Sequence, residues 1–143
     1  MQSAFAALGY ELVGGQIWSV PDEAVIFADL SPALRTRHEK RYVLIVQGDD
    51  WDHAQTCETV LVAPMSSQTD NQRAWESRIE PNETIGHSHP RAIGKPSLIK
   101  LQLMQPVNRR MILGHGALAG VVDPEKFGSI QLLLALNLSL PAQ

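Results

Sequence analysis

The stretch that decides the fold runs Arg41-Tyr42-Val43-Leu44-Ile45-Val46-Gln47-Gly48-Asp49-Asp50 and, after a polar segment, Thr59-Val60-Leu61-Val62-Ala63-Pro64-Met65-Ser66-Ser67. Residues 42–46 and 60–63 form two short apolar runs rich in Val, Leu and Ile, each bounded by turn residues, and so read as buried strands rather than helices. Antiparallel pairing of the two brings their polar ends together on one edge of the sheet, Arg41 before the first and Ser66 and Ser67 after the second. A guanidinium beside a hydroxyl suits a phosphate, because the planar fork grips phosphoryl oxygens and the hydroxyl adds a hydrogen bond. An Arg before one strand and a Ser after another are also ordinary surface features, and the pair alone does not choose between the two readings.

The chain of 143 residues is long enough for one domain with a real core, and 44% hydrophobic against 19% charged residues is the balance of a globular protein. A net charge of −3 argues against an indiscriminate nucleic-acid binder but leaves room for a local basic groove. The lone Cys57 allows no internal disulfide and fits a reducing cytoplasm. Neither a signal peptide nor a membrane-spanning run is evident, so a cytoplasmic protein without membrane contact is expected.

Outward from the central pair, residues 3–8 read as a short helix, Gly14-Gly15 as a turn, and residues 16–20 as a strand stopped by Pro21-Asp22. Residues 24–30 are expected as a further strand. Residues 35–41 form a basic loop, Arg35-Thr36-Arg37-His38-Glu39-Lys40-Arg41, equally compatible with anion binding and with solvation. The acidic segment 49–57 reads as a surface excursion, residues 74–79 as a strand, and residues 81–96 as a long loop. Residues 97–105 alternate, with Ile99, Leu101 and Leu103 on one face and Leu98, Lys100, Gln102 and Met104 on a largely wet one. A short strand is expected at 111–113. Asp123-Pro124-Glu125 opens a C-terminal helix with a capping Asp and Pro at its first position, followed by Phe127, Ile130, Leu133, Leu134 and Asn137 at helical spacing. The expected fold is mainly β with helices (α+β), a small antiparallel β-barrel crossed by a C-terminal helix.

This order of elements resembles the MazF/PemK (Kid) toxins of type II toxin–antitoxin systems. Gly15-Gln16-Ile17-Trp18 is similar to the family's opening Gly-x-Ile-Trp strand, and Asp29-Leu30-Ser31-Pro32 to its Asp-Leu-x-Pro, with extra residues between the two here. Arg41-Tyr42-Val43-Leu44-Ile45-Val46-Gln47 resembles Arg-Pro-Val-Leu-Val-x-Ser, with Tyr42 in place of the Pro. Val62-Ala63-Pro64-Met65-Ser66-Ser67 resembles Val-Ala-Pro-Leu-Thr-Ser, and residues 97–108 have the shape but not the charges of the segment that follows. The likeness runs from about Gly15 to Leu140, within one domain over 1–143 whose residues 1–14 form an N-terminal extension.

The resemblance implies an SH3-like barrel, a homodimer, and metal-independent endoribonuclease cleavage of single-stranded RNA, with no cofactor. The family's catalytic Arg corresponds to Arg41 and its catalytic Thr to Ser66, with His38 as the nearest candidate proton acceptor. RNA contacts are implied for Arg35, Arg37, Lys40, Ser67, Gln68, Lys100 and Gln102, and a cognate antitoxin as protein partner. The competing class is a non-catalytic binding protein on the same barrel, either a CcdB-like gyrase poison or a silent homologue that binds an antitoxin. His87-Ser88-His89 lacks the further ligands that zinc requires, so no metal site is expected. Trp18 and Trp75 are expected in the core, whereas Trp51 is open to stacking on bases.

Overall fold

The computed structural model describes residues 11–27, 39–49 and 58–138. The expected helix at 3–8, the Asp29–Pro32 motif, Trp51 and most of the basic loop lie outside these residues. Within them the chain forms β1 (Gln16–Pro21), β2 (Lys40–Gln47), β3 (Thr59–Ser66), β4 (Glu76–Ile79), β5 (Thr84–Gly86), β6 (Ser97–Lys100), β7 (Gln105–Asn108), helix α1 (Arg109–His115), β8 (Ala117–Val122) and helix α2 (Pro124–Leu138). The strands make one curled antiparallel sheet in the order β4-β6-β3-β2-β1-β8-β5, with β7 also on β3, a half-barrel with two helices that bears out the expected small antiparallel barrel of the α+β class with a C-terminal helix. Among the described residues no helix is long and apolar enough to cross a membrane.

The sheet separates two cores. Successive side chains point to opposite faces, so each central strand feeds both. Val43 and Ile45 of β2 join Trp18, Val20, Val60, Val62, Val107 and Ile112 on one face. Leu44 joins Ile17, Ala63, Met65, Ile79 and Ile99 on the other, under Ile130, Phe127, Leu133 and Leu134 of α2. Burial on both faces is why residues 42–46 are continuously apolar rather than alternating. Each fully buried Leu or Ile contributes about 1.5–3 kcal/mol, and Ile17, Leu44, Ile45 and Ile99 are all completely enclosed.

Several expectations are corrected. Residues 97–105 are not one strand: β6 ends at Lys100, Leu101–Leu103 form a 3-10 turn tied to Trp75 O through Leu101 N, and β7 begins at Gln105. Residues 111–113 lie in α1, because Asn108 Oδ1 accepts a hydrogen bond from the Arg110 N–H and caps a helix there. Residues 22–24 are a 3-10 turn and 25–27 extend from it without joining the sheet. The loop 81–96 contains β5 and a 3-10 turn at Pro81–Glu83 with a reciprocal capping box between Glu80 and Glu83. Asp49, expected on a surface excursion, is 4% exposed and bound side-on by Arg109, whose Nη2 and Nε donate to its two carboxylate oxygens at 2.6 and 3.1 Å.

The opposite flank of the sheet depends on Gly120. A β-bulge between Ile17 and Trp18 shifts the β1–β8 register beside it, and the glycine adopts φ +157°. A Cβ there would collide with the backbone oxygen of Ile85 on β5. Gly120→Ala is expected to cost about 2 kcal/mol or more from strain and overpacking, read as a lower urea midpoint; an unchanged midpoint would show that the β5–β8 contact relaxes freely.

Candidate functional site

The β2–β3 ladder sets Val43 opposite Pro64, Leu44 opposite Ala63 and Ile45 opposite Val62. Arg41 and Ser66 lie two residues beyond Val43 and Pro64, the last pair of this ladder, and the alternation of side chains puts both on the face of the first core. The two residues singled out in the sequence therefore stand at the same end of the ladder and on the same face, Arg41 beside β1 and Ser66 beside β6. Val20 of β1 is the ladder partner of Arg41, and Leu98 of β6 that of Ser66.

Arg41 is held by an environment that the sequence did not advertise. Its Nε donates to Asp22 Oδ1 at 2.7 Å, with both side chains about 10% exposed. Its guanidinium carbon lies 4.5 Å from the centre of the Phe27 ring, a cation–π stack. Phe27 is held in turn through its neighbour. The Gln105 amide accepts from Ile26 N and donates to Ile26 O, both at 2.9 Å, and Nε2 also donates to Leu103 O at 3.0 Å. A side chain thus stands in for a strand partner of Ile26, leaving Val25 and Phe27 buried on the other side.

Ser66 is half-buried at the end of β3, and its Oγ accepts a hydrogen bond from Gln68 N at 3.2 Å. Ser67 and Gln68 are exposed just beyond it, and Lys40 is exposed on β2 across from Pro21. Arg35, Arg37 and His38 lie outside the described residues. Lys100 and Gln102, which the sequence placed on a wet face, converge on a buried carboxylate instead. Glu76 Oε2 receives Gln102 Nε2 at 2.6 Å and Lys100 Nζ at 3.4 Å, while Oε1 receives Arg73 N at 2.9 Å. The Glu76 side chain is 2% exposed. Gln102 Oε1 is buried without a hydrogen-bond partner among the described residues, so the amide is oriented by the carboxylate alone. His87 and His89 are exposed, and the described residues contain no cluster of three metal-ligating side chains.

Asp22, Phe27 and Gln105 were missed as site residues. A signal for Asp22 was present: β1 pairs with β2 so that Val20 meets Arg41, and the acid follows two residues later. Phe27 falls inside the apolar run 24–30 and Gln105 at the end of the alternating stretch 97–105, where neither carries a local signal.

The family model described as "PemK-like, MazF-like toxin of type II toxin-antitoxin system" matches residues 23–138. No curated protein matches the sequence at a significant level. Among solved structures, the Mycobacterium tuberculosis toxin MazF-mt6 superposes with a TM-score of 0.52 at 16% identity, covering 72% of this chain and 90% of its own. A chain of the MazE-MazF structure from Deinococcus radiodurans gives a TM-score of 0.56 at 8% identity, covering 92% of this chain and 98% of its own. At such identities the likeness lies in the fold.

The Glu76 cluster has a pH signature. Burial pushes its carboxyl up, but hydrogen bonds from the Arg73 backbone and Gln102, with the charge and hydrogen bond of Lys100, outweigh burial and hold it below the ordinary glutamate value. The folded state thus prefers the carboxylate. Its stabilisation is complete above the ordinary value of 4.5 and is lost as pH falls through the lowered one. Glu76→Gln is expected to lower the urea midpoint at neutral pH, with the gap to wild type closing on acidification; a gap that does not change with pH would remove the charge from this account.

Proposed function

The chain belongs to the PemK-like, MazF-like toxin family of type II toxin–antitoxin systems, and from that premise we propose that it is an endoribonuclease acting on single-stranded RNA, with Arg41 and Ser66 at the scissile phosphate. The observation that supports this most is the β2–β3 ladder, one end of which carries both residues on the same face of the sheet. The 2′-oxygen of the substrate attacks the adjacent phosphorus, its proton passes to a base, and the P–O5′ bond breaks as the 5′-oxygen takes up a proton. The products are a 2′,3′-cyclic phosphate and a 5′-hydroxyl. Because the nucleophile is part of the RNA, no metal-generated hydroxide is called for.

In this scheme Arg41, a permanent cation, stabilises the charge that accumulates on the phosphorane oxygens. Ser66 hydrogen-bonds a non-bridging oxygen; it keeps the hydroxyl of a Thr without the methyl that restricts its rotamer. His38 remains the candidate base. Lys40, Ser67 and Gln68, all exposed around the strand ends, supply contacts to the flanking RNA, with Arg35 and Arg37 from the basic loop. Lys100 and Gln102 reach RNA only if they leave Glu76, so their weight in binding is small. The protein acts as a homodimer, and its partner is an antitoxin, a reading supported by the toxin-antitoxin family to which it belongs and by the likeness to a MazE-MazF structure.

The rival reading, a binding protein without catalysis, draws support from the 10% exposure of the Arg41 side chain and its ion pair with Asp22. A cleavage assay in EDTA separates the two. Wild type is expected to give discrete fragments ending in cyclic phosphate, and Arg41→Ala and Ser66→Ala to lower the rate by about 100–1000-fold, the loss typical of removing a transition-state donor. Intact RNA with wild-type protein would leave the binding reading, and wild-type rates in either variant would remove that residue from the mechanism.

A further inference from the structure

We propose that Asp22 is a positioning residue for Arg41, fixing the plane of the guanidinium so that its fork meets the scissile phosphate; the inference rests on the nuclease reading above. An arginine side chain turns about several bonds, and a planar cation stabilises a phosphorane only in the orientation that matches its oxygens. Two contacts from different directions constrain that plane. Phe27 lies against its face at 4.5 Å. Asp22 Oδ1 takes the Nε edge at 2.7 Å and so sets the rotation of the plane over the ring.

Both contacts come from one short segment with its own supports. Asp22 begins the 3-10 turn Asp22–Ala24 directly after β1, whose Val20 is the ladder partner of Arg41. The β1–β2 pairing therefore delivers the carboxylate and the guanidinium to each other. Five residues later Phe27 is seated by the Gln105 clamp on Ile26. Stability is a weak reason for such an arrangement, because a buried ion pair seldom outperforms apolar residues of the same volume. Orientation of a reacting group is a reason that apolar residues cannot supply.

The same contact also admits the opposite role, in which the carboxylate competes with the phosphate and restrains the enzyme. Single-turnover cleavage and KM, with rates normalised to the folded fraction by circular dichroism, distinguish them. Asp22→Asn is expected to lower the cleavage rate by about 100-fold, the scale of a misplaced reacting group, while KM stays near wild type. Asp22→Glu, which keeps the charge, is expected to recover part of the rate. Arg41→Lys keeps a cation but loses the fork, so adding Asp22→Asn to it is expected to lower the rate no further, whereas a purely structural acid would act additively. Should Asp22→Asn not fold, Arg41→Lys alone decides: a rate near wild type shows that no fork needs orienting.

Faster cleavage by Asp22→Asn would overturn the proposal in favour of restraint. An unchanged rate, or an additive loss in the double variant, would overturn it in favour of a structural acid, with the nuclease reading intact. Absence of cleavage by wild type would remove the nuclease reading and this role with it.

Discussion

The antiparallel ladder between β2 and β3 is the constraint from which the rest follows. With Val43 opposite Pro64 and Ile45 opposite Val62, alternate residues of both strands are committed to one core and their neighbours to the other. A slip of β2 by one residue would exchange its two sets, sending Leu44 to the face filled by Val43 and Ile45. The register is thus held by two cores at once. It also sets Arg41 and Ser66 at one end of the ladder and on one face, Ser66 half-buried and Arg41 packed against Phe27 and Asp22. The site inherits its geometry from the packing of residues that never touch a ligand.

The second core explains the placement of α2. Phe127, Ile130, Leu133 and Leu134 close the face formed by Ile17, Leu44, Ala63 and Ile99, while Leu132 and Leu136 remain exposed on the helix's other side. At the far end of the chain's central strands, Asp49 binds both Leu12 N and the Arg109 fork, linking the start of the described chain to α1. Removal of Arg109 from that pair would leave a carboxylate buried without its cation, a costly state in any interior.

Long apolar runs and a capped helix were legible in the sequence because burial and capping are local signals. β2, β3 and α2 follow from composition and spacing alone, and Arg41 and Ser66 from their ends. What was not legible depended on contacts distant in sequence. The alternation over 97–105 is a sound strand pattern, yet after Leu101 N–H reaches Trp75 O, the chain turns and Met104 N bonds back to Leu101 O. Three apolar residues at 111–113 are too few to show a period, and only Asn108 announces the helix. Lys100 and Gln102 were read as facing water because their long-range partner, Glu76, looks like any surface glutamate until β4 is laid against β6. The environment of Arg41 was hidden for the same reason: Asp22, Phe27 and Gln105 are brought together only by the folded sheet.

The Gln105 clamp makes position 105 sensitive to a change of a single functional atom. Nε2 donates to Ile26 O and Leu103 O, and Oε1 accepts from Ile26 N. A glutamate has the same length and shape, but at neutral pH it would present acceptors to both carbonyls. Three satisfied contacts would become one attraction and two repulsions, and the segment under Arg41 would lose its tether while the two cores stayed whole. Deamidation at this residue, a slow chemical ageing of the side chain, is therefore expected to loosen the floor of the site without unfolding the protein, and faster amide exchange at Ile26 in Gln105→Glu, beside unaltered exchange at Ile45, is the measurement that checks it. In this fold the difference between an amide and an acid at one glutamine is a difference in how long the site keeps its shape.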